Sequence, residues 1–143
     1  MILMSKMENN TVNKAGSTGV ELNLNDGTQR YQVTKKDLKK TADRYNFMAC
    51  NIFNYESQMG PAVAWAMAPV LRKIYKKDEE YKEALNNHFN YFNSTTVMSS
   101  MILGATLAIE EKDGIEAKET VQSLKTSLMG PFAGVGDTLV WVL

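Results

Sequence analysis

Three stretches of this chain are almost free of charge, and their lengths restrict the fold more than any other feature. Met59–Leu71 and Val97–Ile109 each run for 13 residues, and Leu128–Leu143 runs for 16 with Asp137 as its only charge. A helix that spans a bilayer needs ~20 predominantly apolar residues, whereas runs of ~10–14 belong to cores or to re-entrant and interfacial segments. The pattern predicts an all-α protein whose apolar pieces are buried, or lie at membrane depth without crossing it.

Several classes of function are excluded early. The 16 basic residues are balanced by 16 acidic ones, with no clustered basic face for nucleic acid. Cys50 is the only cysteine and His88 the only histidine, so there is no internal disulfide and no multi-cysteine metal site. Neither a metal nor a cofactor is expected. The apolar start, Met1-Ile2-Leu3-Met4, is too short for the core of a signal peptide, which takes ~7–15 residues. The last residues, Leu139-Val140-Trp141-Val142-Leu143, are apolar and hold nothing that stops a helix, so the chain is expected to be the front portion of a longer protein.

Residues 1–33 are expected to be a flexible polar leader. They are rich in Asn, Thr, Gly and Ser and bury too little to offset their ordering entropy, with at most a short strand around Val20–Leu24. Residues 34–143 are expected to be helical. Thr34-Lys35-Lys36-Asp37 has the form of a capping box. The helix behind it places Leu38, Ala42, Tyr45 and Ala49 on one side, with lysines on the other for solvent or a membrane face.

A second helix is expected over Ser57–Tyr75, apolar all round between Pro61 and Pro69, with Pro69 kinking or breaking it. Its end, Arg72-Lys73-Ile74-Tyr75-Lys76-Lys77, suits a cytoplasmic membrane interface with Tyr75 as anchor, and equally the cationic end of a soluble helix. A third runs over Asp78–Phe92 with Tyr81, Leu85, Phe89 and Phe92 on one face and His88 in a structural role. Asn93-Ser94-Thr95-Thr96 caps a fourth, Val97–Glu111, rich in small residues that let helices approach closely. A fifth, Ile115–Leu128, has Val121, Leu124 and Leu128 as its apolar side.

Chemistry concentrates in Leu128-Met129-Gly130-Pro131-Phe132-Ala133-Gly134-Val135-Gly136-Asp137. Gly130-Pro131 is expected to leave the helical path, and Gly134 and Gly136 permit close backbone approach. A nucleotide-phosphate loop is excluded, because the dinucleotide fingerprint is incomplete and a helix rather than a strand precedes it. Two readings stay open: a glycine-rich turn with a capping Asp137, or a non-helical re-entrant element carrying a functional carboxylate at membrane depth.

That segment closely resembles the "LMGPLAGIGD" signature of IID components in the mannose/fructose/sorbose family of the bacterial sugar phosphotransferase system. Asn54-Tyr55-Glu56 with Gln58-Met59-Gly60 resembles the family's "NYERxQxxG" block, and Met67–Tyr75 its "MxPxLKKLY". His88–Ser94 is similar to "HLxFFNT", and Ile102-Leu103-Gly104 with Glu110-Glu111 to "ILGxxxAxEE". Order and spacing agree from about Thr34 to Trp141. Ser57 stands where the family usually has Arg, and Thr95-Thr96 where it often has Pro.

The resemblance implies the N-terminal part of a polytopic helical protein of the bacterial cytoplasmic membrane, its leader on the cytoplasmic side, with re-entrant or interfacial apolar segments. It implies a hetero-oligomer with a IIC membrane subunit, served by IIA and IIB phosphocarriers, that translocates a hexose as IIB phosphorylates it. Phosphate passes through histidines of IIA and IIB, so the chain is not catalytic alone. From motif positions, the implied translocation residues are Asp137, Gly130, Pro131, Gly134 and Gly136, with Asn93 and Glu56 behind them. A soluble helical interaction module, or a truncated fragment that transports nothing, is the alternative; an independent enzyme finds no nucleophile–base pair here.

Overall fold

The structure, a computed structural model, describes residues 21–23 and 29–142; most of the expected leader lies outside these described residues. The short strand expected near its end is present as β1 (Glu21–Asn23), paired antiparallel with β2 (Gln29–Tyr31) so that Glu21 faces Tyr31. Five α-helices follow: α1 (Lys35–Met48), α2 (Gly60–Ile74), α3 (Asp78–His88), α4 (Thr96–Asp113) and α5 (Lys118–Asp137). A 3₁₀ turn, Gly114–Ala117, joins α4 to α5, and α5 runs into a π-helical stretch, Thr138–Val142. The fold is all-α, and no helix among the described residues is long and apolar enough to cross a membrane.

The capping box forms as its residues predict. Thr34 Oγ1 accepts from the Asp37 backbone N–H at 3.2 Å, and the Asp37 carboxylate accepts from the Thr34 N–H at 3.2 Å. On the side of α1 that its apolar residues suggest, Tyr45 and Ala49 are fully buried, but Leu38 is exposed and Ala42 half-buried, and Asp37 and Thr41 are buried in their stead. Partners decide this: Asp37 accepts from the Tyr31 hydroxyl at 2.7 Å and from Lys73 Nζ at 2.6 Å. Burial raises the Asp37 pKa, but the hydrogen bonds from Lys73, Tyr31 and Thr34 outweigh it and hold the carboxyl well below the usual range.

Helix α2 is the central element. Ala62, Val63, Ala66, Met67 and Leu71 are fully buried, as an all-round apolar segment requires. It starts at Gly60 rather than Ser57, because the Asn54 side chain holds Ser57 in a turn, accepting from its N–H at 2.7 Å. Gly60 is needed for close approach: a Cβ there would lie 2.5 Å from the carbonyl oxygens of Phe89 and Asn90. Pro69 neither ends nor interrupts the helix, which continues to Ile74. Tyr75 is buried, so it is not an interfacial anchor.

Helix α3 ends at His88, not Phe92. Phe92 is drawn off the helical path by backbone hydrogen bonds to the Ser57–Met59 turn, Met59 N–H to Phe92 O at 2.9 Å and Phe92 N–H to Ser57 O at 3.2 Å. The fully buried Phe92 ring then meets Tyr45 edge-to-face at 6.3 Å. Helix α4 leans on both α1 and α5. The inward side of α5 is Val121 and Lys125, with Leu124 and Leu128 only half-buried.

The largest departure is at Gly130-Pro131. The chain does not turn there, and α5 continues unbroken to Asp137 with Gly130, Pro131 and Gly134 inside it. Proline's fixed φ is compatible with a helix, and its missing N–H orphans the carbonyl of Ser127, four residues back. Ser127 is exposed, where water can satisfy that carbonyl. The glycine-rich motif is thus helical up to Asp137 rather than non-helical.

Candidate functional site

The end of α5 meets the start of α4. Thr95 occupies the N-cap position of α4, yet its side chain makes no capping bond. Its hydroxyl points across to α5, 2.7 Å from Asp137 Oδ1 and 3.1 Å from the carbonyl oxygen of Ala133. The single hydroxyl proton can serve only one of these, and the shorter contact to a carboxylate is the stronger. Gly136 makes the approach possible, since a Cβ there would lie 2.5 Å from Thr95 Cβ. Gly136 is accordingly buried, while Asp137 beside it is exposed.

Around this crossing lies an open cleft of about 330 Å³, lined among others by Met59, Asn93, Thr95, Ala133, Asp137 and Trp141. It combines a carboxylate, an amide, a hydroxyl and an indole with apolar walls. Such a set can hydrogen-bond a polyhydroxylated molecule while an aromatic face covers its C–H surface. Asn93 is fixed in part by its backbone N–H, 3.2 Å from Met129 Sδ.

Of the residues singled out from the sequence, Asn93, Gly136 and Asp137 come together here. Gly130, Pro131 and Gly134 lie on the exposed side of α5, and a Cβ at Gly130 or Gly134 would meet nothing within 4 Å. Glu56 is exposed on the Asn54–Gln58 turn and does not line the cleft. That turn is nonetheless tied to the segment carrying Asn93, through the bonds between Ser57, Met59 and Phe92.

A second polar cluster was only partly legible in the sequence. His88 Nε2 sits 2.6 Å from Glu110 Oε1, with both side chains buried. Lys125 is fully buried beside them, its Nζ 3.5 Å from the His88 carbonyl oxygen and 5.8 Å from the centre of the Phe92 ring. Burial lowers the His88 pKa, and the Glu110 hydrogen bond opposes that shift; burial likewise pushes Lys125 down to about 8. His88 is fully buried. Lys125 and Thr95 carried little local signal, because one sits among ordinary α5 residues and the other resembles a simple cap.

Comparison with known proteins agrees with this architecture. The family described as "PTS system mannose/fructose/sorbose family IID component" matches residues 32–143. A sorbose-specific EIID component from Lacticaseibacillus casei is 40% identical over 115 residues, covering 77% of this chain and 40% of that protein. A mannose-specific EIID component from Escherichia coli K12 is 34% identical over 117 residues, covering 76% and 41%. The fructose permease IID component of Bacillus subtilis is 34% identical over 114 residues, covering 77% and 41%. The chain therefore spans about two fifths of the length of these relatives. A chain in the cryo-EM structure of the mannose transporter ManYZ with microcin E492 superposes with a TM-score of 0.70 at 32% identity, covering 77% of this chain and 41% of that one. The chain belongs to the mannose/fructose/sorbose family of phosphotransferase-system IID components.

Proposed function

We propose that this chain forms part of the membrane subunit of a sugar phosphotransferase permease in the bacterial cytoplasmic membrane. In this reading it pairs with a IIC subunit to translocate a hexose of the mannose, fructose or sorbose class. IIB, charged by IIA, phosphorylates the sugar as it emerges. The family match across residues 32–143 carries the reading.

Within it, the cleft at the α4–α5 crossing is the part of this chain that faces the translocated sugar. Asp137 and Asn93 supply acceptors and donors for hydroxyl groups, Trp141 an apolar face, and Thr95 holds the carboxylate in place. Gly130, Pro131 and Gly134 act through helix packing against the rest of the permease rather than through sugar contact. The leader is placed on the cytoplasmic side.

The test is phosphoenolpyruvate-dependent sugar phosphorylation in membranes carrying the gene that encodes this chain with its IIC, IIA and IIB partners. Wild type is expected to be active, and Asp137→Asn to lose at least tenfold with unchanged membrane content. Full activity of Asp137→Asn would remove the cleft from the pathway. No activity in any sugar of the class with wild type would remove the transport reading itself.

A further inference from the structure

The segment that joins α3 to α4 runs along one face of α5 and is tied to it at successive helical turns. Lys125, Met129 and Ala133 stand four residues apart and share that face, which Gly136 and Asp137 continue. Lys125 Nζ lies 3.5 Å from the His88 carbonyl oxygen and 5.8 Å from the centre of the Phe92 ring. One turn on, Met129 Sδ accepts from the Asn93 N–H at 3.2 Å. A turn further, the Ala133 carbonyl oxygen and Asp137 Oδ1 lie 3.1 Å and 2.7 Å from the Thr95 hydroxyl. The sequence 88, 93, 95 on one segment thus follows 125, 129, 133 along the helix.

Lys125 is the exceptional member of this series, because it is a fully buried cation. The His88 carbonyl it meets belongs to the last turn of α3, the end of a helix where positive charge is stabilised. Glu110, from α4, supplies the counter-charge. One of its oxygens is 2.6 Å from His88 Nε2, and the other has no hydrogen-bond partner among the described residues. From α3 His88 and from α4 Glu110 therefore face Lys125, while Glu116 of the 3₁₀ turn is exposed. Burial pushes the Lys125 ammonium down to about 8, with Glu110 opposing the shift. An apolar side chain often replaces a buried ion without loss of stability, so stability alone gives no reason for a lysine here. Register does, since the ammonium addresses the α3 carbonyl, the α4 carboxylate and the Phe92 face at once.

We propose that Lys125 is a positioning residue for the cleft: it fixes the end of α3 against α5, and so sets where Asn93 and Thr95 stand relative to Asp137. The proposal rests on the sugar-cleft reading and adds the residue that keeps the two walls of that cleft in register. Phe92 transmits the placement, because it is buried beside Lys125 and Asn93 follows it directly. Lys125 itself touches no part of the cleft lining.

The test is the double variant Lys125→Met, Glu110→Gln in the full complex, which removes both buried charges together and nearly conserves volume. The sugar KM is expected to rise about tenfold, with kcat within about twofold of wild type. Hydrogen exchange is expected to quicken about tenfold over residues 89–95 and to stay unchanged in α2. An unchanged KM would overturn the proposal. Faster exchange throughout the chain, with kcat and membrane content falling together, would make Lys125 a purely structural residue and overturn it as well. Should the variant fail to reach the membrane, wild type decides by its pH profile. As pH rises through about 8 Lys125 loses its proton, and KM must climb while kcat holds; a level KM overturns the proposal. If wild type phosphorylates no sugar of the class, the transport reading falls and exchange decides separately. Quickening confined to residues 89–95 then keeps Lys125 as the residue that sets this segment, and unchanged exchange there removes it.

Discussion

Arg44 Nη2 donates a 2.8 Å hydrogen bond to the backbone carbonyl of Trp65, the one carbonyl in α2 that Pro69 cannot serve. The same guanidinium stacks on the Trp65 ring at 3.6 Å. A proline inside a helix removes the bond to the residue four positions back and ordinarily costs about 3 kcal/mol. Arg44, from the neighbouring helix, replaces that bond, and α2 runs on through the proline. Arg44→Ala is expected to destabilise by about 2–3 kcal/mol, since it orphans an acceptor served by a charged donor and removes a cation–π contact. In a Pro69→Ala background, where the N–H returns, the loss should shrink by at least half. A denaturant double-mutant cycle checks this, and an unchanged loss would refute the replacement.

The glycines of the α5 motif are expected to separate sharply. Gly134 is helical with open space where a Cβ would go, so Gly134→Ala should stabilise the fold by about 0.5–1 kcal/mol. Gly136→Ala sets a methyl 2.5 Å from Thr95 Cβ and should cost about 1–3 kcal/mol by overpacking. Thermal unfolding of the two variants side by side distinguishes conformational freedom from close approach. Equal effects would mean that the α4–α5 contact is looser than described.

The buried His88 predicts a pH dependence. Its pKa is depressed in the fold, so the unfolded chain binds the proton more readily, and stability must fall as pH drops below about 6.5. The slope is limited to about 1.4 kcal/mol per pH unit for one group. Comparing denaturation midpoints at about pH 7.5 and 5.5, wild type should lose more than His88→Gln. A His88→Gln protein with the same loss would place the sensitivity elsewhere.

Asp37 works in the same direction, in a more acidic window. Its depressed pKa means that its contribution is present above the ordinary carboxylate range and lost as pH falls below about 3.8. Asp37→Asn should weaken the bonds to Lys73 and to the α1 cap together, lowering stability at neutral pH by about 1–3 kcal/mol. Hydrogen exchange should then increase at the start of α1 and the end of α2, with α5 unaffected.

What the sequence alone determined was local. The Thr34–Asp37 capping box, the buried all-apolar α2 and the number of helices depend on neighbours a few residues apart, and each is present in the fold. The motif blocks likewise led to the family. The tertiary structure decided where local preference met a distant partner. Pro69 stays in a helix because Arg44, 21 residues before Trp65, serves the Trp65 carbonyl, and Asp37 turns inward because Lys73 lies 36 residues later. Asp137 finds Thr95 across 42 positions. A hydrogen bond can offset a broken local rule, but the donor comes from wherever the packed helices place it, and sequence spacing does not encode that.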